Sequence, residues 1–141
     1  MQSLADNDPD FDGMYRLSSK LPVTFLHKAA QRAIPPFVFT PFNAQAVLFD
    51  RSALWGLLLP VTVHGRVTDI WRSYFTTRLL WDIGKQVGFV SPWVTQYRNP
   101  HSYQGDFNSE VPLYTQAEAL VNSHTEHKQA LTYTHHHPER K

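Results

Sequence analysis

The sequence contains no cysteine, which excludes a disulfide scaffold, a thiol nucleophile and a zinc–thiolate centre. Charge of one sign is missing as well: 13 Lys and Arg stand against 12 Asp and Glu, for a formal charge of +1. So balanced a chain carries neither the basic footprint of a nucleic-acid binder nor the polybasic anchor of a membrane-surface protein. No long apolar run is present. The longest, Ala53-Leu54-Trp55-Gly56-Leu57-Leu58-Leu59-Pro60-Val61-Thr62-Val63, holds a proline and is about half the roughly 20 residues that a spanning helix needs. The opening segment Met1-Gln2-Ser3-Leu4-Ala5-Asp6 lacks the basic and apolar regions of a signal peptide. What is present is enough to pack a core. Of 141 residues 42% are hydrophobic and 13% aromatic, which speaks against a disordered chain and for one domain at most. The abrupt acidic start reads as a piece cut from something larger.

Prolines punctuate the first third. Pro22, Pro35, Pro36 and Pro41 each remove an amide donor, so short extended pieces are expected there, at Phe37-Val38-Phe39-Thr40 and Gln45-Ala46-Val47-Leu48-Phe49. Ser52 is placed to cap a short helix from Ala53 to Leu59, stopped by Pro60. The clearest helix follows. Val67, Ile70, Trp71, Tyr74, Phe75, Leu79 and Ile83 make an apolar stripe of helical period, with Asp69, Arg72, Ser73, Thr76 and Thr77 on the opposite face. Thr68 or Asp69 opens it, and Gly84 closes it in a left-handed position. Val87-Gly88-Phe89-Val90 reads as a strand. From Trp93 to Tyr114 a polar loop is expected, and Thr115-Gln116-Ala117-Glu118 is a capping box opening a helix to about Asn122. The expected division is a domain over residues 1–123 and a polar, His-rich, disordered tail over 124–141. Short strands and a few helices make the class α/β or α+β.

Three clusters invite chemistry. Asp8-x-Asp10-x-Asp12-Gly13 matches the front half of an EF-hand loop, but Ser19 stands where the bidentate Glu belongs, and a solvated turn is the better reading. His124-x-x-His127 lacks a third ligand for tetrahedral zinc, and His135-His136-His137 belongs to the tail. The third cluster is Val63-His64-Gly65-Arg66-Val67-Thr68-Asp69-Ile70-Trp71-Arg72, where a glycine bend delivers the chain into the strong helix. His64, Arg66, Asp69 and Arg72 then gather near a helix N-terminus, whose free amides and partial positive charge favour an ionised Asp69. A fixed carboxylate can take a proton from a sugar hydroxyl or orient it. It can equally be a helix cap paired with Arg66 or Arg72. Arg98-Asn99-Pro100-His101 offers a cation and an imidazole suited to a phosphate.

At this bend a resemblance enters. Pro41-Phe42-Asn43-Ala44-Gln45-Ala46-Val47-Leu48-Phe49, the Ala53–Val63 run, Asp69-Ile70-Trp71-Arg72-Ser73-Tyr74-Phe75 and Arg78-Leu79-Leu80-Trp81-Asp82-Ile83-Gly84 resemble, in order, the C-terminal half of the STELLO family of glycosyltransferases. A more distant likeness is to the reversibly glycosylated polypeptides, through Pro9-Asp10-Phe11-Asp12 and Gly65-Arg66-Val67-Thr68-Asp69-Ile70-Trp71. The resemblance implies the acceptor-side portion of a truncated GT-A-like nucleotide-sugar fold. It implies Asp69 as the catalytic carboxylate and offers His101 as a late metal ligand in the complete protein; the clustered His64, Arg66, Arg72, Arg98 and His101 are expected to bind substrate. It also implies that Asp6, Asp8 and Asp10 are not the Asp-x-Asp metal motif. A divalent metal such as manganese, a nucleotide sugar and a glycan acceptor are expected of the complete protein, in a Golgi membrane or lumen setting. This chain alone is expected to hold no metal and to be inactive. The alternative is a non-catalytic module that binds proteins of a glycan-synthesis complex, for which the Trp and Tyr content is compatible.

Overall fold

The computed structural model describes residues 1–28 and 30–136, with side chains up to Thr125. The order is β1 (Gln2–Asn7), α1 (Gly13–Ser18), β2 (Arg32–Ala33), a 3-10 helix (Arg51–Leu57), a 3-10 turn (Gly65–Val67), α2 (Thr68–Asp82), β3 (Gly88–Gln96) and α3 (Tyr103–His136). The class is mixed α/β. Its three strands lie in the order β1-β3-β2, with β1 parallel and β2 antiparallel to β3. The parallel register slips between Ser3 and Ala5, opposite a stretch of β3 that contains Pro92. Proline has no amide to give the ladder. The buried Ser3 hydroxyl repairs the gap by accepting from the Trp93 amide at 2.9 Å.

Two expected strands are absent as such. Residues 37–40 and 45–49 form no ladder of their own, because Pro35, Pro36 and Pro41 leave too few amides in register. They serve as cover instead. Ser3 donates to Ala46 O and Leu48 donates to Met1 O, each at 2.8 Å, so this segment blunts the outer edge of β1. The 3-10 helix starts at Arg51 with Asp50, not Ser52, as its cap. The Asp50 carboxylate accepts from the Ser52 amide and hydroxyl, which hold its pKa down to about 2.

The long helix α2 closes as expected. Gly84 sits at φ 68°, its amide reaches Trp81 O at 3.1 Å, and Lys85 N reaches Leu80 O at 2.8 Å. Its orientation is not the expected one. The buried side chains are Trp71, Arg72, Ser73, Thr76, Thr77 and Leu80, while Leu79 and Ile83 of the apolar stripe are exposed. Small hydroxyl residues let neighbouring backbone come close. Thr76 donates to Gly56 O at 3.3 Å, and a Cβ on Gly56 would lie 2.8 Å from Thr76 Cγ2. The other flank carries Tyr74 and Trp81, which Phe37 and Phe39 cover with ring contacts of 4.8 to 6.3 Å.

The largest departure lies after β3. The polar loop expected to Tyr114 is β3 to Gln96 and then a helix from Tyr103. Ser102 opens that helix: its hydroxyl accepts from Gly105 N at 3.1 Å and its carbonyl from Asp106 N at 2.9 Å. Pro112 lies inside α3, and Thr115 is no cap but an interior residue whose hydroxyl donates to Val111 O at 3.0 Å. The backbone of α3 runs through the boundary expected at 123/124, and residues 137–141, with His137, lie outside the described residues.

The close approach of α1 to α3 gives the first prediction. A Cβ at Gly13 would meet Phe107 N at 2.5 Å and Phe107 Cα at 2.6 Å, and backbone cannot step aside. Gly13→Ala should therefore lower urea stability by about 3 kcal/mol, the upper end of what overpacking costs. An unchanged unfolding midpoint would count against this packing.

Candidate functional site

The site lies at the carboxyl ends of the two parallel strands, where α/β sheets open to ligands. Beyond β1 the chain turns at Asn7, whose side chain donates to Gln96 O at 2.8 Å; Asp8 N donates to the same carbonyl at 3.2 Å. A buried Arg16 then shapes the loop. It pairs with Asp8 at 2.6 Å and donates to Pro9 O at 2.5 Å and Phe11 O at 3.2 Å. The carboxylates of the acidic turn are thus paired within the protein, while Asp12 stays exposed. Asp8 is held by Arg16, Asp10 by Arg98 and Arg66, and Asp12 caps α1 through Tyr15 N at 3.0 Å. The three carboxylates are each spent on a different set of partners.

Asp10, Gln45, Arg66, Asp69, Arg98 and His101 line one open polar pocket of about 630 Å³, together with Ala44, Gln96, Tyr97, Asn99 and Pro100. Four of the residues singled out from sequence therefore meet here. Arg66 is the hub. Its Nε lies 2.9 Å from Glu110, its Nη2 3.2 Å from Asp106 and its Nη1 3.8 Å from Asp10. Burial works against its charge, but Glu110, Asp10 and Asp106 outweigh that and raise its pKa. Glu110, itself 4% exposed, also accepts from Gly13 N at 2.6 Å and Tyr114 OH at 3.0 Å. His101 lies between two acceptors, Asn99 O at 2.7 Å from Nδ1 and Asp106 Oδ2 at 3.1 Å from Nε2.

Asp69 is on the first turn of α2 but does not cap it; the N-cap is Val67, with no side-chain bond. Its Oδ1 accepts from Ile70 N at 2.9 Å and its Oδ2 from Ala44 N at 2.8 Å, which ties the 42–45 loop to the helix. Two of the proposed substrate residues stay outside the pocket. His64 is exposed and caps the 3-10 turn, accepting from Arg66 N at 3.2 Å. Arg72 is 5% exposed, with its guanidinium 5.7 Å from the rings of both Phe42 and Phe49. Burial lowers its pKa, and the Asp69 charge acts the other way. Arg72 packs where the sequence places a solvent-facing cation.

Among the described residues no three His, Asp or Glu side chains converge on a point a metal could occupy. Asp10, the natural candidate, already carries two arginines. Among the described residues the side-chain donors do not fit a divalent ion. His124 stacks on Phe75 with ring centres 5.1 Å apart, and the side chain of His127 lies outside the described residues. Sequence reading set Asp10 aside as part of a solvated turn, and it did not single out Tyr97, Asp106 or Glu110. Asp106 and Glu110 are one helical turn apart, but Pro100, Gly105 and Pro112 around them read as loop.

The family model for STELLO glycosyltransferases matches residues 66–135, which include Arg66, Asp69, Arg98 and His101. These residues thus form a domain of glycosyltransferase-family type. More particularly, it is a STELLO domain. Two Arabidopsis thaliana proteins, Probable glycosyltransferase STELLO2 and Probable glycosyltransferase STELLO1, are 30% and 29% identical to this chain over 125 residues. The alignments cover 85% of this chain and 16% of the length of those relatives.

Two predictions follow from the geometry. An amide offers one acceptor oxygen where the carboxylate uses two, so Asp69→Asn gives up one of its two amide bonds. It should destabilise by about 1–2 kcal/mol and speed hydrogen exchange at the Ile70 or Ala44 amide. Unchanged exchange at both amides would show that Asp69 does not tether the loop. Tyr114 titrates late: burial first, then its bonds toward Glu110 and Asp12, raise its pKa above the ordinary phenol value. The native state holds this proton longer than the unfolded chain. Stability is therefore indifferent to this group below about pH 10 and falls as pH rises beyond it. Tyr114→Phe should remove the last phenolate step in an alkaline absorbance titration.

Proposed function

We propose that the pocket bordered by Asp69 binds a sugar on the acceptor side of a glycosyl-transfer reaction. The observation that carries this reading is the convergence of Asp10, Asp69, Arg66, Arg98 and His101 on one open pocket at the strand ends. A sugar offers many hydroxyls, each both donor and acceptor. The anchored carboxylate of Asp69 accepts from them, and the guanidinium of Arg98 donates to them. With two of its acceptor positions taken by backbone amides, Asp69 keeps a fixed direction and still has lone pairs for a substrate hydroxyl. That is the geometry for orienting a hydroxyl or taking its proton.

The donor nucleotide sugar and its divalent metal are assigned to residues outside this chain, because among the described residues the side-chain donors do not fit a metal. A Golgi setting rests on the family resemblance alone. Among the described residues no helix is long and apolar enough to cross a membrane.

A second reading, a non-catalytic interaction module, is favoured by one observation. Leu54, Leu57, Leu58, Leu59 and Val61 are all at least half exposed, an unusual density of apolar side chains at a surface. Calorimetry separates the readings. The acceptor-side reading expects free glycans to bind this chain without metal, and no manganese-dependent binding of nucleotide sugar. Binding of nucleotide sugar with manganese, and of no glycan, would overturn it. Binding of neither would leave the interaction module.

A further inference from the structure

We infer that Tyr97 is the stacking platform of this pocket, taking the C–H face of a pyranose ring whose hydroxyls are held by Asp69 and Arg98. The inference rests on the sugar-pocket reading and goes beyond it in naming the apolar wall and the ring shape it selects. Tyr97 is 80% exposed, among the most exposed large side chains of the molecule, and it lines the polar pocket. Most aromatic rings here touch another ring or a guanidinium, yet among the described residues none is recorded against the Tyr97 ring.

Its backbone is held on the side of β3. The preceding Gln96 carbonyl accepts two hydrogen bonds, from Asn7 Nδ2 and from Asp8 N. The following Arg98 is tied to Asp10. The ring is thus carried by a residue whose preceding carbonyl is pinned and whose following side chain is anchored, with only two side-chain torsions of its own left to order. Such a bare but positioned aromatic loses little entropy when it captures a ligand. Apart from Ala44 and Pro100, the other walls of the pocket are carboxylates, guanidinia, amides and an imidazole, which satisfy hydroxyls but offer no broad flat apolar face to the C–H surface of a sugar. Tyr97 supplies the missing apolar face. A β-glucoside or β-galactoside has a face of axial hydrogens that suits a flat ring.

The experiment uses the whole chain, titrated by NMR with methyl β-glucopyranoside and methyl β-galactopyranoside, and separately with uridine. The expected result is that a glycoside shifts the Tyr97 ring protons. Tyr97→Phe and Tyr97→Trp should keep the affinity, and Tyr97→Ala should weaken it about tenfold with unchanged thermal unfolding. Glycoside binding that is equally tight in Tyr97→Ala would overturn the stacking role and leave the sugar pocket standing. No glycoside binding by the unsubstituted chain would overturn both. A Tyr97 ring that responds to uridine and not to glycosides would overturn the sugar assignment in favour of a nucleobase.

Discussion

Everything near the pocket hangs on the guanidinium of Arg66. It comes from the turn before α2, and it meets Asp10 from the loop after β1 and Asp106 and Glu110 from the first turns of α3. A partly buried cation is stable only when its donors are taken, and here three carboxylates from two separate segments take them. Removing it would leave Glu110, nearly inaccessible to water, facing only Gly13 N and Tyr114. The pocket is therefore a by-product of a packing requirement. To satisfy Arg66, the loop after β1, the entry to α2 and the start of α3 must meet at one point, and the space between them is the groove.

How much of this was legible in the sequence depends on the kind of signal. Local chemistry was readable. The Gly84 stop and the extent of α2 follow from short-range rules, and the structure keeps them. The face that α2 buries was not readable, because periodicity counts apolar residues and cannot see backbone approach. Thr76 and Thr77 are buried since their small side chains admit the neighbouring chain, while Leu79 is left outside. The first half of α3 was hidden for a different reason. Pro100, Gly105 and Pro112 are turn signals in any window, and only docking against α1 and the Arg66 cluster overrides them.

The site was half legible on the same grounds. The Gly65 bend and the Arg98–His101 cluster announced themselves as concentrations of polar chemistry, and the structure joins them in one pocket. Arg72 was misplaced because a charged side chain opposite an apolar stripe reads as solvent-facing. In fact Phe42 and Phe49 enclose it, and ring faces are the partners seen for it. Asp10 was passed over because its role depends on Arg66 and Arg98, which come 56 and 88 residues later in the sequence. No local rule reports a contact of that range.

Asp69 shows why the structural and the chemical reading of a carboxylate need not compete. Its two amide bonds are what a purely structural tether would show. The same bonds fix the position of both oxygens and leave one lone pair on each. A catalytic carboxylate needs those same properties, since a group that wanders cannot hold a hydroxyl in line. The difference lies in what faces the remaining lone pairs. A tether buried among side chains would face protein. Asp69 faces the groove it shares with Arg98, His101 and Tyr97, so its unused capacity is directed at whatever enters there.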